Sequence, residues 1–329
     1  MPRSQVRPGT VRIAARVTGP CPGPVFFVPA MWYPLSIMKT HFDCIPCFFR
    51  QALSAARLAS DDAAVHERVL RAVAAAVARM DLRDVPPKMG QLIHREVRVA
   101  TDGSDPYASA KREFNELALG LLPDLREAIA SSLDPFATAV RLAAAGNIID
   151  FGRGRTVTAG DVERSIDYAM TCDIEGTSLE RLRRAVDGAA TIFYLADNAG
   201  EIVFDRALIE RIGPERVALG VRGAPILNDV TIDDAVEVGL SELVDVIPNG
   251  SDAPGTLLEE CSHEFLRAFV AADVVLAKGQ GNYETLSDAP REVFMLFKVK
   301  CPVVAEDAGE EMDAIVIAHG GRVQDGAPA

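Results

Sequence analysis

At Ala189 the chain changes rhythm, and that change constrains the fold more than any other feature. Downstream stand six short apolar runs rich in β-formers: "ATIFYLA", "RVALGV", "VDVIP", "DVVLAKG", "VFMLFKV" and "AIVIAH". Between the first five lie helical segments, "EIVFDRALIERIG", "TIDDAVEVGL" and "TLLEECSHEFLRAFVAA", and then a short one around Asn282–Asp288. Strands that are apolar throughout belong to a sheet buried on both faces, and helices between them make that sheet parallel. The expected fold class is therefore α/β, with a doubly wound, mostly parallel, Rossmann-like sheet.

Upstream, from Met38 to about Gly188, the pattern is helical. "CFFRQALSAARLA" is amphipathic, with Pro46 in its first turn, where a missing N–H does no harm. "DDAAVHERVLRAVAAAVARM" opens on acids and then spaces Ala, Val and Leu along one helix face. Helices are also expected around 87–99, 106–121, 123–132, 135–150, 161–170 and 178–187. The predicted domains are a helical one over 38–188 and an α/β one over 189–320. Residues 1–37 hold four Arg, no acidic residue, and Pro at 2, 8, 20, 22, 24, 29 and 34. Two prolines break "VFFVPAMWYPLSIM" and no small-residue cleavage site follows, which argues against a secretory leader. These residues read as a disordered or mis-assigned extension, and 321–329 as a disordered tail.

Charge excludes some functions. The net charge is −13, and from Met38 onward 30 basic residues face 47 acidic ones. Nonspecific nucleic-acid binding needs a basic surface, so it is not expected. A small anionic substrate remains compatible, because a metal ion or a local cation can receive it. No apolar run approaches the roughly 18 residues of a membrane span. Six Cys in 329 residues are too few for a disulfide scaffold, so reduced thiols in the cytoplasm are expected.

In an open parallel sheet, ligands bind beyond the carboxyl ends of the strands. Three polar signals fall at that edge: Asp197–Asn198 after the first run, Asn228–Asp229 in "RGAPILNDVT" past the second, and "KGQGNYE" directly after "DVVLA". Asp and Asn oxygens are hard ligands suited to Mg²⁺ or Mn²⁺. Asp197, Asn198 and Asp229 supply three such ligands and leave positions open. Lys278 adds a point charge, and the Gly279-Gln280-Gly281 turn can offer backbone N–H groups to an anion. A divalent cation, a Lys and a Gly-rich turn together suit a phosphate ester.

Each signal also has a plainer reading. "DNAG" can be a helix N-cap, Asp229 can cap the next helix, and "KGQGN" can be an ordinary turn. No P-loop, GxSxG elbow or dinucleotide fingerprint is present.

"ADNAGEIVFD", "ILNDVTIDDA" and "AKGQGNYETL", in this order, resemble the damage-control phosphatase family, formerly domain of unknown function 89, in its archaeal and bacterial branch. "CIPCFFRQAL", "IHREV", "DPYASAKREFNELAL", "AAAGNIIDFG" and "FKVKCPVVAEDAG" extend the resemblance over about residues 38–320. It implies a metal-dependent phosphatase acting on small phosphorylated metabolites, sugar phosphates or damaged side products. It implies that Asp197, Asn198 and Asp229 hold the metal and that Lys278 contacts phosphate. Glu201 and Asn282 become pocket residues, and Asn147 and Asp150 of "GNIID" reach the cleft from the helical domain. Mn²⁺, Mg²⁺, Co²⁺ and Ni²⁺ can share such an oxygen site. Either an activated water or an Asp can attack the phosphorus. Asp105, Tyr107 and Lys111 are interdomain or pocket candidates, with a helix-start role open for Asp105.

Cys44-Ile-Pro-Cys47 stands outside this scheme, with structural packing, metal binding and redox chemistry all open. Two competing functions go with the same residues: a carboxyl methyltransferase using S-adenosylmethionine, and a non-enzymatic module centred on the CxxC.

Overall fold

The computed structural model describes residues 38–321 apart from 102, 104, 149–158, 173 and 175. The expected extension over 1–37 lies outside these residues, as do the tail beyond 321 and Asp150.

The upstream half forms α1 (Cys44–Ala59), α2 (Ala63–Val77), α3 (Pro86–Ala100), α4 (Ala108–Leu119), α5 (Leu122–Ser131), α6 (Pro135–Ile148), α7 (Ala159–Thr171) and α8 (Gly176–Gly188). Sequence explains the starts. Asp62 caps α2 by accepting the Ala64 N–H at 2.8 Å, and Pro86 and Pro87 occupy the first turn of α3, where no N–H is needed. α1 buries Phe48, Ala52, Ala55 and Ala56, a stripe at helical spacing.

The downstream half runs β1 (Ile192–Leu195), α9 (Glu201–Ile212), β2 (Val217–Val221), α10 (Ile232–Glu237), β3 (Asp245–Pro248), α11 (His263–Ala271), β4 (Val274–Lys278), α12 (Gln280–Leu286), β5 (Val293–Lys298), α13 (Pro302–Ala308) and β6 (Ile315–Gly320). The six strands are ordered β3-β2-β1-β4-β5-β6. The first five are parallel, and β6 pairs antiparallel to β5. The expected α/β fold with a mostly parallel sheet is what the structure shows.

Alternate residues of β1 serve opposite faces. Ile192 and Tyr194 join a core with α4, α5, α6 and α9, whereas Phe193 and Leu195 join another with α11, α12 and Met295. The first core draws residues from both halves of the chain. A third cluster holds α1, α2 and α3 together and meets α13 through Val303. Strand order reverses at β1, which has β2 on one side and β4 on the other. The crevice beyond the carboxyl ends of β1 and β4 is therefore the topological switch point, where this class of sheet receives ligands. No helix among the described residues is long and apolar enough to cross a membrane.

Candidate active site

Two loops zip together at that crevice. Val230 N donates to Asp197 O at 2.8 Å, Ala199 N donates to Asn228 O at 2.8 Å, and Asn198 and Asp229 form an antiparallel bridge. This pairing brings Asp197, Asn198 and Asp229 to one place. The capping alternative fails for both motifs. The N-cap residue of α9 is Gly200, φ 74°, with no side-chain cap, and α10 is capped reciprocally by Thr231 and Asp234. Leu227, just before the Asn228–Asp229 pair, takes φ 48°, a left-handed conformation unusual for a Leu.

Residues from α4 brace both loops. The Gly200 N–H donates to Asn115 Oδ1 at 2.7 Å, and Asn115 Nδ2 donates to Asp234 Oδ1 and Glu237 Oε2. Buried Lys111 pairs with Asp234 at 2.6 Å, which ties α4 to α10. Asp105 accepts the Tyr107 N–H, which is a local turn at a helix start.

α6 delivers Asn147, held close because Gly146 packs on Glu201: a Cβ there would lie 3.2 Å from Glu201 Cα. Asn147 Nδ2 donates at 2.9 Å to both Asp197 Oδ2 and Glu201 Oε2, and its Oδ1 accepts the Lys298 N–H. Asn198 Nδ2 donates to the same two carboxylates at 2.6 and 2.9 Å. Its amide oxygen is the atom left to serve a cation.

Lys278, at the end of β4, is fully buried. Its three ammonium hydrogens go to Ala143 O, Glu201 Oε1 and Asp205 Oδ1, so a phosphate contact would replace one of these. Asp205 Oδ1 also accepts from Tyr194, while Asp205 Oδ2 is buried without a hydrogen-bond partner. Gly279 takes φ 81°, and its N–H is used by Leu296 O, which leaves the Gln280 and Gly281 amides for an anion. Gln280 turns its side chain away: its amide donates to Glu284 Oε1 and Cys301 Sγ and accepts from Lys300 N. Asn282 Nδ2 donates to Lys278 O, and its Oδ1 accepts from Thr256 and Arg222.

Arg222 escaped the sequence reading. Its Nε donates to Asp229 Oδ2 at 2.7 Å, its Nη2 lies 3.9 Å from Asp197 Oδ1, and Nη2 is buried with no hydrogen-bond partner. The signal was available, because Arg222 directly follows β2 at the same sheet edge as the other candidates. Asp205 was harder to see, being an acid inside an amphipathic helix, four residues after Glu201 and on the same face.

The cluster is rich in buried acids. Four buried carboxylates, Asp197, Glu201, Asp205 and Asp229, face two buried cations, Lys278 and Arg222, a formal deficit of two positive charges. Burial, then the charges of Glu201 and Asp229, push Asp197 up to about 8. Burial also raises Asp229 against the pull of Arg222, and lifts Asp205 to about 6 against that of Lys278. Burial opposes ionisation of Glu201 too, but Lys278 and the donors Asn147 and Asn198 prevail and hold it low. Burial works against the Lys278 charge, which Asp205 and Glu201 more than restore. Among the described residues no three His, Cys, Asp or Glu side chains are grouped as a metal site. The candidate set here is two carboxylates and an amide oxygen, a hard oxygen set suited to a divalent cation.

Residues 40–316 match the family model of the damage-control phosphatase ARMT1-like domain. A damage-control phosphatase of Pyrococcus horikoshii is 33% identical over 85% of this chain and 97% of its own. One from Archaeoglobus fulgidus is 32% identical over 85% and 98%. An uncharacterized protein of Methanocaldococcus jannaschii is 34% identical over 84% and 93%. The crystal structure of a DUF89 family protein from Pyrococcus horikoshii superposes with a TM-score of 0.76 at 32% identity, covering 85% of this chain and 98% of that one. Matched along most of its length by the family model, by curated relatives and by a solved fold, the chain belongs to the damage-control phosphatase ARMT1-like family.

Proposed function

We propose that this chain is a metal-dependent phosphatase hydrolysing small phosphorylated metabolites, sugar phosphates or damaged phospho-metabolites. The observation that carries the reading is the buried deficit of two positive charges where the Asp197 and Asp229 loops meet at the switch point. Asp197, Asn198 and Asp229 would hold the divalent cation, and Mn²⁺, Mg²⁺, Co²⁺ and Ni²⁺ all suit these donors. Bound there, it supplies Lewis-acid polarisation of a phosphoryl oxygen and relief of charge repulsion.

The protein's own groups do the rest. Asn147 and Asn198 hold the Asp197 and Glu201 carboxylates in fixed orientations by shared donors. Arg222 fixes Asp229 by donating to its Oδ2 at 2.7 Å, and the Gly255 backbone N–H also donates to this carboxylate. The Gln280 and Gly281 amides, with the Lys300 charge that bears on Asp197, offer positive potential to phosphoryl oxygens. Lys278 pairs with Glu201 and Asp205 beneath the site and holds the Glu201 carboxyl low.

The test is phosphate release from p-nitrophenyl phosphate and a panel of sugar phosphates, with chelated protein against added Mg²⁺, Mn²⁺, Co²⁺ and Ni²⁺. Release that needs a cation and disappears in Asp197→Ala is expected. No release above that variant with any cation and any ester would sink the reading.

A further inference from the structure

Cys44 and Cys47 take no part in the cleft, yet the fold gives them company. Both lie in the first turn of α1, three residues apart on one face, with Cys44 buried and Cys47 exposed. Cys301, part-buried, is the N-cap residue of α13. Val303, two residues on, packs into the apolar cluster that holds Cys44 and Phe48. Gln280 reaches into the same corner, donating to Cys301 Sγ at 3.8 Å and to Glu284 Oε1 at 2.7 Å. The three thiols interact electrostatically with one another, and Glu284 with both Cys44 and Cys301. None of this is a ligand cage, since among the described residues no such trio is grouped for a metal. Two thiols on one turn of a helix have another chemistry open to them.

We propose that Cys44 and Cys47 are a reversible disulfide site, oxidised by a peroxide or a small-molecule disulfide, with Cys301 as the neighbouring thiol able to replace Cys44. Cβ atoms three residues apart in a helix stand about 5–6 Å apart, and a small shift of the first turn reaches the roughly 3.5–4.5 Å of a disulfide. Cys47 is exposed and Cys44 buried, so Cys47 is the sulfur an oxidant can reach. With hydrogen peroxide, the Cys47 sulfur attacks the O–O bond. An S–O bond forms, the O–O bond breaks, and one water leaves. The Cys44 sulfur then attacks the sulfenic sulfur. The S–S bond forms, the S–O bond breaks, and the Cys44 proton departs with the hydroxyl as a second water. Two thiols have lost two electrons and two protons, and the peroxide has become two waters. A small dithiol reverses the reaction by exchange. Burial raises the Cys44 and Cys301 thiols, so the reduced form gains no thiolate stabilisation there, which favours the disulfide.

The experiment is thiol mapping of the full chain. The protein is treated with hydrogen peroxide or with oxidised glutathione, remaining thiols are alkylated, and peptides are weighed. The expected result is a peptide holding Cys44 and Cys47, two hydrogens lighter and unalkylated, restored by dithiothreitol. Cys172 and Cys261, elsewhere in the fold, keep their label. In Cys44→Ser the link moves to Cys47–Cys301, and in Cys47→Ser, at an exposed position that leaves the fold intact, no link forms. Cys44 and Cys47 alkylating as fully after oxidation as before would overturn the proposal. So would conversion of Cys47 to sulfinic acid with no disulfide on the way. Neither readout depends on phosphatase activity.

Discussion

Gly279 lies against the Asp197 carboxylate: a Cβ built on it would stand 1.8 Å from Oδ2 and 2.0 Å from Cγ. Its backbone, φ 81° and ψ 160°, would also strain any side-chain-bearing residue, by about 1–3 kcal/mol. Gly279→Ala must therefore displace the carboxylate as well as bear that strain. A displacement of about 1 Å in a reacting group is enough to lower turnover roughly a hundredfold. That fall is expected in kcat/KM for phosphate release, with circular dichroism confirming a folded chain. Activity within about twofold of the parent would remove Asp197 from the machinery.

Asn147 makes a different prediction because it donates to two acids at once. Asn147→Ala leaves both short of a buried donor, a loss of about 1–3 kcal/mol in urea unfolding. Asn147→Asp keeps the shape and adds another carboxylate, so it should be the more destabilising of the two. Equal stability of the two variants would contradict the charge argument.

His94 sets an acid limit on the fold. Burial, aided by the Arg98 charge and opposed by Asp252, lowers it from 6.5 to about 4. Its folded value lies below its unfolded one, so the unfolded chain binds the extra proton first. The native state is fully favoured above about pH 6.5, and that advantage is lost as pH falls toward 4. Between pH 7 and pH 5 the loss from this one group is about 2 kcal/mol. Urea titrations at the two pH values should show that slope flattened in His94→Gln. An unchanged slope would mean that His94 titrates normally.

Arg222 carries one of the two buried positive charges in the cluster. Arg222→Met strands Asp229, and breaking a buried pair from one side is destabilising by about 3–5 kcal/mol. An added divalent cation should recover part of that loss in a thermal melt, because it supplies the missing charge. A variant as stable as the parent, with or without the cation, would show that Asp229 does not depend on this guanidinium.

Much of this was legible in the sequence, and the reason differs from element to element. Runs such as "IFYL" and "VVLAK" are buried on both faces, so composition alone marks them as strands. Asp197, Asn198 and Asp229 were visible because they interrupt apolar runs at the sheet edge where ligands bind. What sequence could not give was direction. Gln280 sits in the Gly-rich turn yet turns toward Cys301, because the helix begun at Gly279 rotates its side chain away from Asp197. Lys278 is a charge at the right strand end, but Asp205, one turn past Glu201 in α9, takes one of its hydrogens. Cys301 is 254 residues from Cys47, and the packing of Val303 against the α1 cluster brings their helices together.

Asp197 is the acid on which stability and function should part. It is buried between Glu201 and Asp229, two like charges, and without a cation that arrangement opposes folding. Asp197→Asn keeps an oxygen to accept from Asn147 and Asn198 but removes the charge. In chelated protein it should therefore raise stability, by about 1–2 kcal/mol, while phosphate release falls to background. The parent should also gain stability from a divalent cation, about 2.7 kcal/mol at a hundredfold excess over its dissociation constant. The variant should lose most of that gain. Thermal melts of both proteins, with chelator and then with Mn²⁺, read the two effects together. A variant that is less stable when chelated and still stabilised by Mn²⁺ would show that the cation binds elsewhere and that Asp197 is held by protein contacts alone.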